Sequence, residues 1–346
     1  MARVRNFAFP VAVSAALVLG GCAGRLQQGM LVPVAEAAEG GSRVQVLAAT
    51  TRQRSAADPG EMFSGERAEA SSYAAVTVSI PPDNARKVGE IQWPETLPGD
   101  PRRDFVTVSA NYLDQKEFVS ALADTAKQTR RNKALVFVHG FNNRFDDAVY
   151  RFAQIVHDAK APGIPVLFTW PSRGELKLRA YTYDRESANY SRDAFEQLLS
   201  LVAANPNVKE INIVAHSMGN WVALEALRAM SIRTGKIGAK IRNVMLVAPD
   251  VDVDVFRTQI QRMGSPRPRF SLFVSQDDKA LGLSQAIWGG VPRLGEINPA
   301  QEPYQSELKR ENIEVFDLTK LSGNAHDRAF EEITAVLVMV RNRYGE

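Results

Sequence analysis

The chain has 346 residues, 45% apolar and 23% charged, enough for a large buried core, which excludes a disordered or fibrous protein. Its formal net charge is +3, falling to +1 if Arg3 and Arg5 are lost with an N-terminal signal. A surface so near neutrality carries no electrostatic case for nucleic acid or a strongly acidic partner.

Residues 1–21 read as a signal peptide. Two arginines precede an apolar run, Phe7 to Leu19, too short to span a bilayer and of the right length for a secretory h-region. The run ends in Leu19-Gly20-Gly21-Cys22, which resembles the lipobox of bacterial lipoproteins. That resemblance implies cleavage before Cys22, acylation of its thiol and anchoring in a cell-envelope membrane. Ala23 after the cysteine resembles outer-membrane sorting, with the domain on the periplasmic side. Cys22 is the only cysteine, so an intrachain disulfide, a thiol nucleophile in the domain and a cysteine-ligated zinc site are excluded. Residues 22–42, rich in Ala, Gly and Gln, read as lipidated cysteine and tether, and residues 43–346 as the domain.

The domain opens with β-branched segments at Val44–Leu47, Ala75–Ile80 and Phe105–Val108, separated by Pro59-Gly60, Pro81-Pro82 and Pro98-Gly99. These predict the antiparallel front of a mixed sheet. From Ala134 the rhythm becomes strand, helix, strand, helix. Leu135–Val138 is a continuous apolar run, as a strand covered on both faces requires. Phe145, Ala148, Val149, Phe152, Ile155 and Val156 follow at helical spacing. Further strands are predicted at Val166–Phe168, Ile211–Val214, Val244–Val247, Ser271–Val274 and Ile313–Phe316. Helices are predicted around Phe195–Val202, over Met218–Met230 and, closing the chain, through Phe330, Ile333, Leu337 and Val340. The alternation predicts an α/β fold with a mostly parallel sheet covered on both faces.

The most informative segment runs from Ile211 to Gly219. A buried strand leads into Ser217, flanked by small residues at −2 and +2 (Ala215 and Gly219), and a helix follows at once. A tight strand-to-helix turn needs small residues at those positions, and the helix N-terminus favours negative charge developing beside the serine. Ala215-His216-Ser217-Met218-Gly219 resembles the nucleophile elbow of the alpha/beta-hydrolase superfamily, with alanine where glycine is common. A Phe137-Val138-His139-Gly140 turn, Trp170-Pro171-Ser172, this elbow and Ala248-Pro249-Asp250 occur in the order of a poorly characterised bacterial branch of that superfamily. The resemblance covers about Arg43 to the C-terminus and implies an alpha/beta-hydrolase fold and a Ser-His-Asp triad without a cofactor or metal.

Carried onto this chain, the resemblance makes Ser217 the nucleophile and the backbone amides of Phe141 and Met218 the oxyanion donors. The superfamily order is serine, acid, histidine, and His326 is the sole histidine after Ser217; His139, His157 and His216 precede or adjoin it. His139 fits a structural turn residue and His157 a helix surface. The acid role falls on Asp278 in Ser275-Gln276-Asp277-Asp278-Lys279-Ala280-Leu281, with Asp277 and Asp250 as alternatives. Trp170–Ser172, Tyr181, Tyr183, Asp184 and the stretch from Trp288 to Tyr304 read as pocket wall or as loop packed on core. The implied activity is carboxylic-ester hydrolysis on a small-molecule or lipid ester. A lipase, peptidase or acyltransferase of the same fold, or a non-catalytic binding protein, stays open.

Overall fold

The computed structural model describes residues 29–56, 60–287 and 290–319. The signal segment, Cys22, Trp288, His326 and the apolar stripe from Phe330 to Val340 lie outside the described residues. In chain order the elements are β1 (Ser42–Arg54), β2 (Phe63–Ile80), β3 (Val106–Leu113), α1 (Gln115–Thr129), β4 (Lys133–Val138), α2 (Phe145–Asp158), β5 (Ile164–Thr169), α3 (Leu178–Tyr190) and α4 (Arg192–Ala204). They continue with β6 (Glu210–His216), α5 (Gly219–Thr234), β7 (Ile241–Val247), α6 (Val253–Met263), β8 (Arg269–Val274), α7 (Lys279–Ile287), α8 (Tyr304–Arg310) and β9 (Glu314–Asp317).

The strands form a nine-stranded sheet in the order β3-β2-β1-β5-β4-β6-β7-β8-β9. β1, β2 and β3 pair antiparallel, and every pair from β1–β5 onward is parallel. The expected antiparallel front and parallel remainder are both present. β1 joins the two halves: Leu47–Thr50 run parallel to Val166–Thr169 while the whole strand pairs with β2.

Side-chain alternation explains the apolar runs. In β4, Val136 and Val138 enter one core with α1, α4, α5 and α6, and Leu135 and Phe137 enter the other with α2. A strand with apolar partners on both faces has no polar alternate, so its sequence reads as a continuous hydrophobic run. α2 is held by Phe145, Val149, Phe152 and Val156 on that second face. α1 begins at a capping box, in which Asp114 accepts from the Glu117 N–H and Glu117 from the Asp114 N–H.

Three differences from the expected organisation have physical causes. α1 buries only the narrow stripe Phe118, Leu122 and Ala126, which gives little periodic signal. Tyr181, Tyr183 and Asp184, expected in a loop, lie on α3, whose buried residues Ala180, Tyr181, Asp184, Ser187 and Ala188 are largely small or polar. Met30 and Leu31, in the stretch that reads as tether, are 2% and 1% exposed, and the Met30 carbonyl accepts from the Thr107 and Tyr150 hydroxyls. The packed domain therefore reaches back before Arg43.

Candidate active site

Every sequence-derived candidate within the described residues lies beyond the C-terminal end of a parallel strand. Phe141 follows β4, Ser217 and Met218 follow β6, Asp250 follows β7, and Asp277 and Asp278 follow β8. Open α/β sheets bind ligands at this edge. His326, expected to follow β9, lies outside the described residues.

Ser217 occupies the turn between β6 and α5 at φ +50°, a left-handed conformation that costs an L-residue roughly 1–3 kcal/mol. Three contacts pin it. Its N–H donates to the Val247 carbonyl at 3.0 Å, and its carbonyl accepts from the Asn220 N–H at 3.1 Å and the Asp250 N–H at 3.3 Å. The buried Asn220 side-chain amide adds a bond to the same carbonyl at 2.9 Å. The predicted steric demand is real. A Cβ on Gly219 would stand 2.4 Å from the His139 carbonyl oxygen and 2.7 Å from that of Val138. A Cβ on Gly140 would stand 2.9 Å from the Ser217 Cβ. The turns after β4 and β6 thus touch through their backbones, and only glycine allows it. Among the described residues, neither the Phe141 nor the Met218 N–H has a hydrogen-bond acceptor, and the Ser217 hydroxyl has no hydrogen-bond partner.

The turn after β4 is braced from behind by a polar cluster. The Asn143 amide side chain donates to the Gly140 and Phe141 carbonyls at 3.3 and 2.8 Å, and its N–H donates to Ser172 Oγ at 3.1 Å. Ser172 donates to the buried Asp184 carboxylate, which also accepts from the Arg173 N–H at 2.9 Å and the Asn142 N–H at 3.5 Å. Burial pushes the Asp184 carboxyl above its usual range; the Ser172 and Arg173 bonds and the Arg52 charge oppose the rise. Arg52, fully buried, donates to the Asn143 carbonyl at 2.6 Å, the Ser172 carbonyl at 2.8 Å and Thr169 Oγ1 at 2.9 Å. Burial lowers its pKa to about 10, so it stays charged near neutrality.

His139 stacks on Trp170, with ring centroids 4.9 Å apart, and bonds the Gly140 carbonyl at 2.8 Å and Thr169 Oγ1 at 2.9 Å. Burial, then the Arg52 charge, pushes it down to about 3. It is a neutral structural imidazole at the base of the turn. His157, near the helix surface, meets Asp83 at 3.1 Å. Ser172 and Asp184, two of the residues expected as pocket wall or packing, pack behind the turn, whereas Tyr181 lines a narrow cleft with Met218 and Asp250.

The three candidate acids differ in environment. Asp277 is exposed and accepts from the Ser275 hydroxyl at 2.8 Å. Asp278 is half-buried; its Oδ1 accepts from the Leu281 N–H at 3.2 Å in the first turn of α7. Asp250 accepts from the Tyr181 hydroxyl at 2.7 Å on one oxygen and the Ser284 hydroxyl at 2.6 Å on the other, with Arg293 Nε 3.4 Å away. Both Asp250 oxygens are thus engaged.

Two residues of the Trp288–Tyr304 stretch, expected as pocket wall or packing but not singled out by a motif, enter the site here: Arg293 and Glu296, at either end of a 3-10 turn (Leu294–Glu296) and its N-cap. A signal for them exists: they are the two ionisable residues between Lys279 and Glu302. The turn is pressed against the strand ends. A Cβ on Gly295 would stand 2.8 Å from the Ala248 carbonyl carbon, and the Gly295 N–H donates to the Pro249 carbonyl at 3.0 Å. Burial, then the charges of Asp278 and Asp250, pushes the Glu296 carboxyl up to about 7, with Arg293 opposing. Because the folded state holds this proton more tightly than the unfolded chain, the stabilisation it brings is complete below the ordinary glutamate range. It is lost as pH rises through about 7. Glu296→Gln is therefore expected to gain on the parent between pH 5 and pH 8 by about 1 kcal/mol, after allowing for solvent screening of a half-buried group. Thermal unfolding of both proteins at the two pH values checks this; parallel losses would contradict it.

The sheet order, the strained serine turn between β6 and α5, and candidate groups gathered at one strand edge define an α/β hydrolase. The chain belongs to the family described as alpha/beta hydrolase of unknown function (DUF900), whose model matches residues 114–343. Comparison with curated proteins finds no match. Among solved structures the chain is similar to the siderophore hydrolase EstB from Aspergillus nidulans, with a TM-score of 0.39 and 12% identity over 89% of this chain and 96% of that one. It is also similar to Est1E from Butyrivibrio proteoclasticus, with a TM-score of 0.37 and 11% identity over 79% of this chain and 94% of that one. The family assignment rests on the family match and the topology.

Proposed function

We propose that this α/β hydrolase is a serine hydrolase that cleaves carboxylic esters through a covalent acyl-enzyme. The observation that carries the reading is the Ser217 turn, with the Phe141 and Met218 amides beside it lacking acceptors among the described residues. In this reading His326 accepts the Ser217 proton as Oγ attacks the ester carbonyl carbon. The carbonyl oxygen becomes an oxyanion held by the two amides. The tetrahedral intermediate collapses by breaking the C–O bond to the alcohol, which leaves with the proton from His326. Water then attacks the acyl carbon, giving its proton to His326, and the acid departs as Ser217 regains its hydrogen.

Asp278 is the acid that orients His326 in this reading. Its half-burial after β8 supports the role over exposed Asp277, and the engagement of both Asp250 oxygens supports it over Asp250. The test is hydrolysis of 4-nitrophenyl butyrate by the parent, Asp278→Asn and Asp250→Asn. Asp278→Asn should lower kcat by roughly 10^4-fold, the scale set by loss of the orienting carboxylate in serine hydrolases. Asp250→Asn should cost far less. The reverse ranking would move the role to Asp250, and a parent with no turnover of any ester would remove the reading.

A further inference from the structure

A narrow cleft beside Ser217 is lined by Tyr181, Arg185, Met218, Trp221, Asp250 and Arg293. It joins the elbow directly, since Met218 is the next residue and the Asp250 N–H binds the Ser217 carbonyl at 3.3 Å. Its hydrogen-bonding inventory is lopsided. Arg293 is 5% exposed, yet its guanidinium donates no hydrogen bond among the described residues. A guanidinium has five N–H donors and no acceptor; here Nε is fully covered without a hydrogen-bond partner among the described residues, which is costly, while the Nη groups are not fully covered. The Trp221 indole Nε1 is likewise buried with no acceptor among the described residues. Arg185 adds a second cation, its guanidinium carbon 5.2 Å from the centre of the Trp221 ring.

Asp250 does not answer this demand. Its carboxylate lies 3.4 Å from Arg293 Nε, without hydrogen-bond geometry, and its oxygens already accept from Tyr181 and Ser284. It anchors the guanidinium electrostatically and leaves the donors unfilled. Arg293 is also fixed in place. Its backbone bridges to Asp252, its carbonyl accepts from the Glu296 N–H at 3.0 Å, and the Leu294 N–H beside it donates to the Val251 carbonyl at 2.8 Å. A nearly buried cation on a fixed backbone, with donors unmade among the described residues and next to a buried indole N–H without an acceptor there, is a receptor for a small planar anion.

We propose that this cleft binds a carboxylate carried by the substrate, so that the ester cleaved at Ser217 is a half-ester of a dicarboxylic acid or a comparably anionic ester. Assigning the anion to the substrate rests on the hydrolase reading above; the anion site itself does not. The bound carboxylate accepts from Arg293 and the Trp221 N–H, and it holds the acyl group against the elbow.

The test has two arms on the purified protein. In the first, calorimetry measures binding of glutarate and of its neutral diamide, glutaramide. Glutarate should bind more tightly, and Arg293→Gln should weaken it roughly 10-fold to 100-fold, the range for a charge-assisted hydrogen bond. Trp221→Phe removes an N–H that has no partner among the described residues, which keeps the fold, and should weaken glutarate roughly 3-fold to 10-fold. In the second, kcat/KM for 4-nitrophenyl hemiglutarate is divided by that for 4-nitrophenyl butyrate; the ratio should exceed one and fall in both variants. Equal binding of glutarate and glutaramide, or glutarate affinity unchanged in Trp221→Phe and Arg293→Gln, would overturn the site. Glutarate binding that depends on these residues, in a protein that turns over no ester, would uphold the anion site and overturn the hydrolase reading. Ester turnover with no charge preference would uphold the hydrolase reading and overturn the assignment of the anion to the substrate.

Discussion

Replacing Ser217 with alanine is expected to lower kcat for ester hydrolysis roughly 10^6-fold, the scale at which serine hydrolases lose turnover without the attacking hydroxyl. The expectation follows from the turn. Ser217 is held at φ +50° by bonds from its own N–H to Val247 and from Asn220 and Asp250 to its carbonyl. None of these bonds uses the hydroxyl, so alanine keeps the backbone geometry and deletes only Oγ. Stability should therefore stay within about 1 kcal/mol of the parent, as for a partly exposed side chain without a packing role. On the proposed mechanism, the remaining activity should be the roughly 10^3-fold to 10^4-fold advantage over water that binding and the Phe141 and Met218 amides would supply. Parallel measurement of kcat and unfolding free energy checks both halves. A large loss of stability with the activity would show that the serine is a structural cap.

Arg52→Leu is expected to destabilise the fold by roughly 3–5 kcal/mol, the cost of breaking a buried charge network by removing one partner. Arg52 reaches from β1 to acceptors in four places: Ser64, Asn143, Thr169 and Ser172. Leucine leaves those oxygens without their donor and removes the positive charge that favours ionised Asp184. The damage should also reach activity, because Asn143 and Ser172 brace the turn carrying Phe141. Arg52→Lys should recover part of the stability, since an ammonium keeps the charge but cannot spread five donors in one plane. Denaturant unfolding reads the first effect and kcat the second. A leucine variant within about 1 kcal/mol of the parent would refute the role assigned to this network.

The legible parts of this fold are those with local causes. Gly219 and Gly140 are required because a Cβ would meet atoms of the neighbouring turn at 2.4 to 2.9 Å, and such a constraint leaves its mark within five residues of sequence. The parallel strands are legible for a similar reason: burial on both faces turns β4 and β5 into short uninterrupted apolar runs. What a linear reading hides depends on pairing across the chain. Arg52 meets Asn143 and Ser172 across 91 and 120 residues, and nothing near Arg52 announces a buried cation. Asp184 stands out beside two tyrosines, but its partner Ser172 precedes the helix that carries it, so its bracing role is visible only in three dimensions. Arg293 and Glu296 lie in a stretch where glycines and aromatics are the conspicuous residues, and their importance comes from where Gly295 presses against the strand ends.

The most direct measurement of the central claim is covalent labelling of the purified protein by a fluorophosphonate probe, with the site located by mass spectrometry. An activated serine at a strained turn should carry the label on Ser217, and His326→Ala should lose it. Folded protein that takes no label, or takes it on another serine, would contradict the account.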